Sequence, residues 1–171
     1  MNKKTRSITL AAALTATTMV TLYFATISPT GQVGIIAFAS LFAAAAVIEG
    51  GIGAGIFVYV GSSIIGALIL PNKQLLLLYI MFFGYYPVVK SIIEQLKAAV
   101  FEWIIKLVVF NISLAVTWFL LRSIIFGSMD IKLHTALIFL GGNVVFAAFD
   151  IGFSKLIEFY SARISKNINR R

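Results

Sequence analysis

Cysteine is absent from the 171-residue chain, and histidine occurs only at His134. The lack of cysteine excludes disulfides, thiolate metal sites and cysteine nucleophiles. With a single histidine, a zinc site would need an unusual set of carboxylate ligands. No nucleophile and base stand together as an evident catalytic pair. We therefore expect no metal, no cofactor and no enzymatic activity.

Charged residues are also scarce, at 12% of the chain, whereas soluble domains carry about a quarter. Hydrophobic residues make up 60%, and the mean hydropathy is +1.00. A globule of this size cannot hide so much apolar surface from water. The sequence therefore predicts a membrane protein. At about 20 residues per span, the spans use nearly the whole chain, so we predict one transmembrane domain over residues 1–171.

Helix-breaking residues divide the apolar sequence into six stretches. Proline and glycine interrupt it near Pro29, Gly50 and Pro71, which are strong turn signals. Pro87 should kink the fourth span. The predicted spans are residues 7–28, 33–48, 52–70, 75–93, 99–121 and 134–160. Their short connections favour antiparallel neighbours, so the predicted fold class is an all-α, compact bundle of six transmembrane helices.

Basic residues predict the orientation of the bundle. If the N-terminus is cytoplasmic, all but three of the 14 Lys and Arg lie on the cytoplasmic side. The three exceptions are Lys73, Arg122 and Lys132. An excess of basic residues on the cytoplasmic side is what the positive-inside rule predicts. Both termini are therefore predicted to be cytoplasmic, in a bacterial plasma membrane, and the net charge of +8 does not indicate a nucleic-acid partner. The alternative is that the first stretch is a cleaved signal peptide, which would leave five spans.

Ionisable residues inside the predicted spans gather towards the cytoplasmic side. Such residues are costly in lipid and normally face the bundle interior. We expect them to pair across the fourth, fifth and sixth spans, with Glu102 and Lys106 also paired along one helix. The alternative is a proton relay through Asp150, the deepest acid. The members of this inner group are Lys90, Glu94, Glu102, Lys106, Asp150, Lys155 and Glu158.

A second set of residues, in the outer half, is the candidate ligand site. Tyr79, Phe82, Phe83 and Tyr86 recur at helical spacing and would form one wall for a flat organic ligand. The alternatives are ordinary packing for the aromatic residues and interhelical hydrogen bonding for the asparagines. The ligand is expected to be largely apolar or aromatic, with one anionic group. The candidate ligand contacts are Gln32, Tyr79, Phe83, Asn111, Trp118, Arg122, Asp130, His134 and Asn143.

The first span carries a surface of small residues, with Ala12 and Ala16 one turn apart. Small residues let membrane helices approach closely. The pattern fits either internal packing or a docking face for another membrane subunit.

Taken together, the size, the six spans with both ends inside, the basic head and the Ala12–Ala16 pair resemble the substrate-binding S component of an energy-coupling factor (ECF) transporter. That resemblance implies partners: a transmembrane coupling subunit, which Ala12 and Ala16 would contact, and two ATPase subunits. It also implies capture of a vitamin or other micronutrient near the outer face.

Two other functions remain open at this point. A cell-envelope scaffold of the MreD type has similar size and a related architecture, and would bind partners through helix faces. A stand-alone proton-coupled transporter would use Asp150 and Lys90.

Overall fold

A computed structural model describes residues 3–96, 98–125 and 132–162, with side chains described for residues 5–96, 98–120 and 137–162. Its described residues are almost all helical, and they contain no strand. Six segments are long and apolar enough to cross a membrane. The prediction of an all-helical chain with six helices long and apolar enough to span a membrane is therefore confirmed. The segments are Thr5–Ile27, Gln32–Gly50, Ile52–Ile69, Lys73–Leu96, Ala99–Leu120 and Leu137–Tyr160.

The first three helices are joined by tight turns. They are α1 (Lys3–Ile27), α2 (Gln32–Gly50) and α3 (Ile52–Ile69). Gly31 precedes α2 with φ 70°, and Gly51 joins α2 to α3 with φ 82°. Only glycine adopts a positive φ without steric cost. Two glycines thus reverse the chain where the sequence predicted span boundaries.

The fourth span is built from four pieces. Gly84 N–H donates to the Tyr79 carbonyl at 2.7 Å, which is the bond of a π-helical turn. Pro87 has no N–H to donate to the Phe83 carbonyl, and it lies in the first turn of a new helix. The predicted kink at Pro87 therefore takes the form of an interruption just before it. The pieces are α4 (Lys73–Leu78), a π-turn (Tyr79–Phe83), α5 (Tyr86–Ile93) and a 3-10 turn (Glu94–Leu96).

Helices α1, α2 and α3 pack around a core of small side chains. Ala11, Ala43 and Ala46 are buried there beside Val58 of α3. At Gly55 an added Cβ would lie 2.3 Å from Val47 Cγ2, so α2 and α3 cross too closely for any side chain there. Small residues give this half of the bundle its close packing, as is typical of membrane helices.

The last two helices, α6 (Ala99–Ile125) and α7 (Lys132–Tyr160), complete the bundle. They meet the fourth span through an aromatic core that includes Phe82, Tyr86 and Phe146. Large rings hold neighbouring helices further apart than alanine does. This half of the bundle is therefore packed more openly, and it contains the candidate site.

Candidate functional site

Four charged side chains from the fourth span, α6 and α7 form an ion-pair network, in which Glu94 is exposed and the other three are buried. Lys90 Nζ lies 2.5 Å from Asp150 Oδ1 and 2.7 Å from Glu94 Oε1. Lys106 Nζ lies 3.2 Å from Asp150 Oδ2 and 2.9 Å from the same Glu94 oxygen. Lys90 and Asp150 are only 1% and 2% exposed. The predicted pairing of inner charges across these spans is confirmed for these four residues, named here the charge network.

Hydrogen bonds extend the charge network to two hydroxyl groups. Tyr86 Oη donates to Asp150 Oδ1 at 2.6 Å, and Lys90 Nζ donates to Ser154 Oγ at 2.9 Å. Each carboxylate contacts both ammonium groups. Two positive and two negative charges leave the network with no net charge. Buried charges persist in an apolar medium when they are paired and hydrogen-bonded in this way. The arrangement is that of a clamp between three spans.

One sequence expectation within this region is wrong. Lys106 was predicted to pair with Glu102 along its own helix. Its ammonium group instead contacts Glu94 and Asp150 on other elements. The tertiary partners are a better match because Asp150 is buried inside the bundle, whereas an i,i+4 pair on a helix contributes only about 0.5 kcal/mol.

A cavity of about 580 Å³ lies beside the charge network, between α2, the fourth span, α6 and α7. Its walls are aromatic and aliphatic, and two hydroxyl residues, Ser113 and Thr117, are its polar lining. Pockets of 300–1,000 Å³ with apolar walls and few polar groups are typical of small-molecule sites. We name this space the aromatic cavity. Its rings are Phe82, Phe83, Phe110, Phe146 and Phe149.

Ring contacts hold the walls of the aromatic cavity in place. Phe82 contacts Phe110 edge-on, with centroids 5.3 Å apart, and Phe149 at 5.9 Å. Phe110 stacks on Phe146 with centroids 4.5 Å apart. Such pairs contribute about 0.5–1.5 kcal/mol each beyond burial. The cavity is therefore formed by rings from three spans that pack against one another.

The predicted ligand contacts divide between the cavity and other places. Phe83 lines the aromatic cavity. Tyr79 is fully buried nearby, where its hydroxyl lies 2.8 Å from Ser62 Oγ of α3. Gln32 begins α2, and its Nε2 donates to the Ser28 carbonyl at 3.0 Å. Of these three, the structure places only Phe83 on the cavity wall.

Asn111 and Asn143 form a reciprocal amide pair between α6 and α7. Asn111 Nδ2 donates to Asn143 Oδ1 at 2.9 Å, and Asn143 Nδ2 donates to Asn111 Oδ1 at 3.1 Å. Each amide also donates 2.8 Å to a carbonyl of its own helix. This is the interhelical hydrogen bonding that the sequence left open as the alternative to ligand contact.

Of the remaining predicted contacts, the structure describes the side chain of Trp118 alone. Trp118 is half-exposed on α6, directly after the cavity-lining Thr117. The side chains of Arg122 and His134, and all of Asp130, lie outside the described residues.

Sequence reasoning missed the contribution of α2 and α7 to the cavity. Val33, Gly34 and Ala37 line it from α2, and Phe146 and Phe149 line it from α7. The phenylalanines of α7 recur at three- and four-residue spacing, which would have identified one aromatic face of that helix. For the α2 residues, no sequence signal separates cavity lining from packing.

The small-residue surface of α1 faces outward. Ala12, Ala13 and Ala16 are exposed, whereas Ala11 on the opposite side is buried against α2 and α3. The hydroxyl of Thr17 on the same surface donates back to the Ala13 carbonyl at 3.0 Å. The exposed face is therefore smooth and its threonine hydroxyl is already bonded within the helix.

Among the described residues, no group of three or more His, Cys, Asp or Glu side chains could hold a metal ion. The chain matches no protein-family model, no curated protein and no solved structure.

Proposed function

We propose that this chain is the membrane-embedded substrate-binding subunit of an ECF-type importer and captures a small molecule in the aromatic cavity. The cavity itself carries the proposal: about 580 Å³ lined by aromatic rings from three spans is a volume that suits a small molecule. In this assignment the chain performs no chemistry on its ligand. ATP hydrolysis belongs to separate subunits.

The lining defines the chemistry of the ligand. Among the described residues, the polar side-chain groups of the cavity are the hydroxyls of Ser113 and Thr117, and that of Ser113 already bonds to Tyr85. A sugar or a highly charged molecule would lose its hydration here without replacement, at a cost of about 1–3 kcal/mol per unpaired group. The ligand is therefore apolar or aromatic where it lies in the cavity.

The exposed face of α1 supports the proposed partner. A transmembrane coupling subunit needs a surface on which its backbone can approach closely, and Ala12 and Ala16 provide one. Interfaces of this kind depend on van der Waals packing of small residues, because lipid offers no hydrophobic drive between helices.

The orientation follows from the positive-inside rule and is part of the proposal: both termini are cytoplasmic. The chain has no cysteine, so a single introduced thiol reports its own side of the membrane. Thr30→Cys, in the α1–α2 turn, should react with a membrane-impermeant maleimide added to whole cells. Gln95→Cys, in the 3-10 turn that ends the fourth span, should lie on the cytoplasmic side and react only after the cells are opened. The reverse pattern would invert the topology.

Ligand capture is tested by mass spectrometry of the protein purified in mild detergent. We expect a small molecule to co-purify with the unmodified chain and to be lost in Leu114→Trp, because Leu114 lines the cavity and an indole would fill part of it. Val116→Trp is the matched control, since Val116 lies on the same helix and is 42% exposed. If no molecule co-purifies, or if both variants retain it equally, the proposed site is wrong.

Partner docking is tested by co-purification with candidate coupling and ATPase subunits. Ala12→Trp should abolish the complex, whereas Ala115→Trp, at an exposed alanine of α6, should not. A scaffold of the MreD type would instead bind partners and carry no small molecule. A complex that survives Ala12→Trp would remove the assigned docking face.

A further inference from the structure

We infer that the ligand is a lipophile with one long hydrocarbon chain, and that it reaches the aromatic cavity sideways from the bilayer, between α2 and α7. This inference rests on the proposed function, since it assumes that the aromatic cavity binds the ligand. It adds the class of ligand and the route by which that ligand arrives.

A continuous groove connects the aromatic cavity to the lipid-facing surface. Beside the cavity lies a recess of about 260 Å³ between α2 and α7. It shares Gly34, Ala37 and Phe149 with the cavity. A third recess, of about 440 Å³, continues the groove towards the first residues of α1 and shares Phe38 and Leu41 with the second. We name the two recesses together the α2–α7 groove.

The dimensions of this groove fit a single chain. From Gly34 to Ile48, the residues of α2 that line the groove span 14 steps, or about 21 Å at about 1.5 Å per residue. That length covers most of a hydrocarbon core about 30 Å thick. A compact ring system would occupy the aromatic cavity alone and leave the α2–α7 groove empty.

The middle recess is small. Between Gly34 and Leu41 it extends over about 10 Å of helix length and has a volume of about 260 Å³. An extended hydrocarbon chain is an occupant whose shape suits a space of this length and volume.

The chemistry of the lining also matches a hydrocarbon chain. Among the described residues, the middle recess is lined by no polar side chain and the third only by that of Tyr160. Phe38 and Leu156, which line both recesses, are 54% and 49% exposed. The groove is thus apolar along its length and open to the bilayer, where a lipophile concentrates by partition.

Glycines keep the groove open. Gly34 of α2 and Gly152 of α7 line the middle recess, and a Cβ added to either would meet no atom within 4 Å. Gly55, at the tight α2–α3 crossing, shows the opposite, with an atom 2.3 Å from an added Cβ. The groove glycines are therefore not required for close packing, and they leave room for an occupant.

The turn between α1 and α2 makes its side-chain hydrogen bonds within the turn, and its residues are not part of the cavity lining. Ser28 Oγ donates to the Thr30 carbonyl at 2.7 Å, and Gln32 Nε2 donates to the Ser28 carbonyl at 3.0 Å. The hydrogen bonds of this turn are thus made locally. A sideways route needs no movement of it.

The route is tested by photolabelling in phosphatidylcholine vesicles with palmitic acid that carries a diazirine in mid-chain. In the unmodified protein, mass spectrometry should find label on Phe83 of the cavity and on Phe38 and Leu156 of the groove. Gly152→Leu should lower cavity labelling by about fifteenfold, because each excluded methylene weakens binding by about fourfold and leucine displaces about two. Gly34→Leu, from the opposite wall, should act in the same direction.

Gly141→Leu is the matched control. Gly141 lies on α7, has no atom within 4 Å of an added Cβ and does not line the groove. Cavity labelling in the Gly141→Leu variant should therefore equal that in the unmodified protein. All variants must elute as the unmodified protein does in size-exclusion chromatography, which confirms folding, since glycine to leucine favours a helix.

Three results would overturn the inference, and they differ in what they leave standing. Cavity labelling retained in both Gly152→Leu and Gly34→Leu would exclude the sideways route but keep the cavity as a binding site. Uniform labelling of all lipid-facing helices would show annular lipid only. No label in the cavity of the unmodified protein would exclude a long-chain ligand. Whether the cavity binds a small molecule at all is tested separately, by comparing Leu114→Trp with Val116→Trp.

Discussion

The charge network makes a sharp prediction for Asp150→Asn. Asp150 accepts hydrogen bonds from Tyr86 at 2.6 Å, Lys90 at 2.5 Å and Lys106 at 3.2 Å. The amide is nearly the same size as the carboxylate but carries no charge. The variant therefore leaves two buried ammonium groups facing the single carboxylate of Glu94, and the network becomes positively charged.

The magnitude follows from the burial of these groups. Breaking a buried ion pair by removing one partner costs about 3–5 kcal/mol of stability, and Asp150 is 2% exposed. Adding Lys106→Met removes the surplus ammonium group and leaves Lys90 paired with Glu94 at 2.7 Å. We expect the double variant to be more stable than the sum of the two single changes by about 1–3 kcal/mol, the usual coupling for residues in one network.

The free energy of unfolding is measured by denaturant titration in mixed micelles, followed by tryptophan fluorescence. Trp103 lies 5.9 Å from Lys106 Nζ, so it reports from beside the network. Lys155→Gln, at an exposed position of α7, is the control and should change stability by less than about 0.5 kcal/mol. A cost below about 1 kcal/mol for Asp150→Asn, with additive double-variant costs, would refute the clamp.

The same variant separates the clamp from a proton relay. A clamp predicts that the isolated chain moves no protons across liposomes, with or without Asp150→Asn. Proton flux by the unmodified chain that disappears in the variant would instead establish the stand-alone transporter.

Two further predictions concern packing. Asn111→Leu should lower the free energy of unfolding by about 1–3 kcal/mol, because it leaves the Asn143 amide without its partner. Changing both asparagines to leucine should recover most of that loss. A double variant whose cost equals the sum of the two single costs would show that the pair does not bind α6 to α7. Gly55→Leu should destabilise by about 1–3 kcal/mol or more, since its Cβ would meet Val47 Cγ2 at 2.3 Å, whereas Gly53→Leu, with no atom within 4 Å, should be tolerated. Both are read from the same unfolding titrations, and equal effects of the two glycine changes would contradict the close α2–α3 crossing.

Tyr79 shows why a helical face could not be drawn correctly from spacing alone. A regular helix would place Tyr79 on the same face as Phe83 and Tyr86. The π-turn adds one residue to a turn, which rotates the following positions by about 100° relative to those before it. Tyr79 therefore bonds to Ser62 of α3, while Phe83 reaches the cavity. Proline marked the interruption but not its form.

The six spans, their boundaries near Gly31 and Gly51, and the expectation that the inner charges pair were determined by the sequence alone. These features depend on local properties: the length of an apolar stretch, the freedom of glycine at positive φ and the cost of an unpaired charge in lipid. The partners of Lys106, the aromatic cavity and the α2–α7 groove were decided only by the tertiary structure. They depend on how helices separated by many residues rotate and pack against one another, and alternating small and aromatic side chains on those helices allow several such packings.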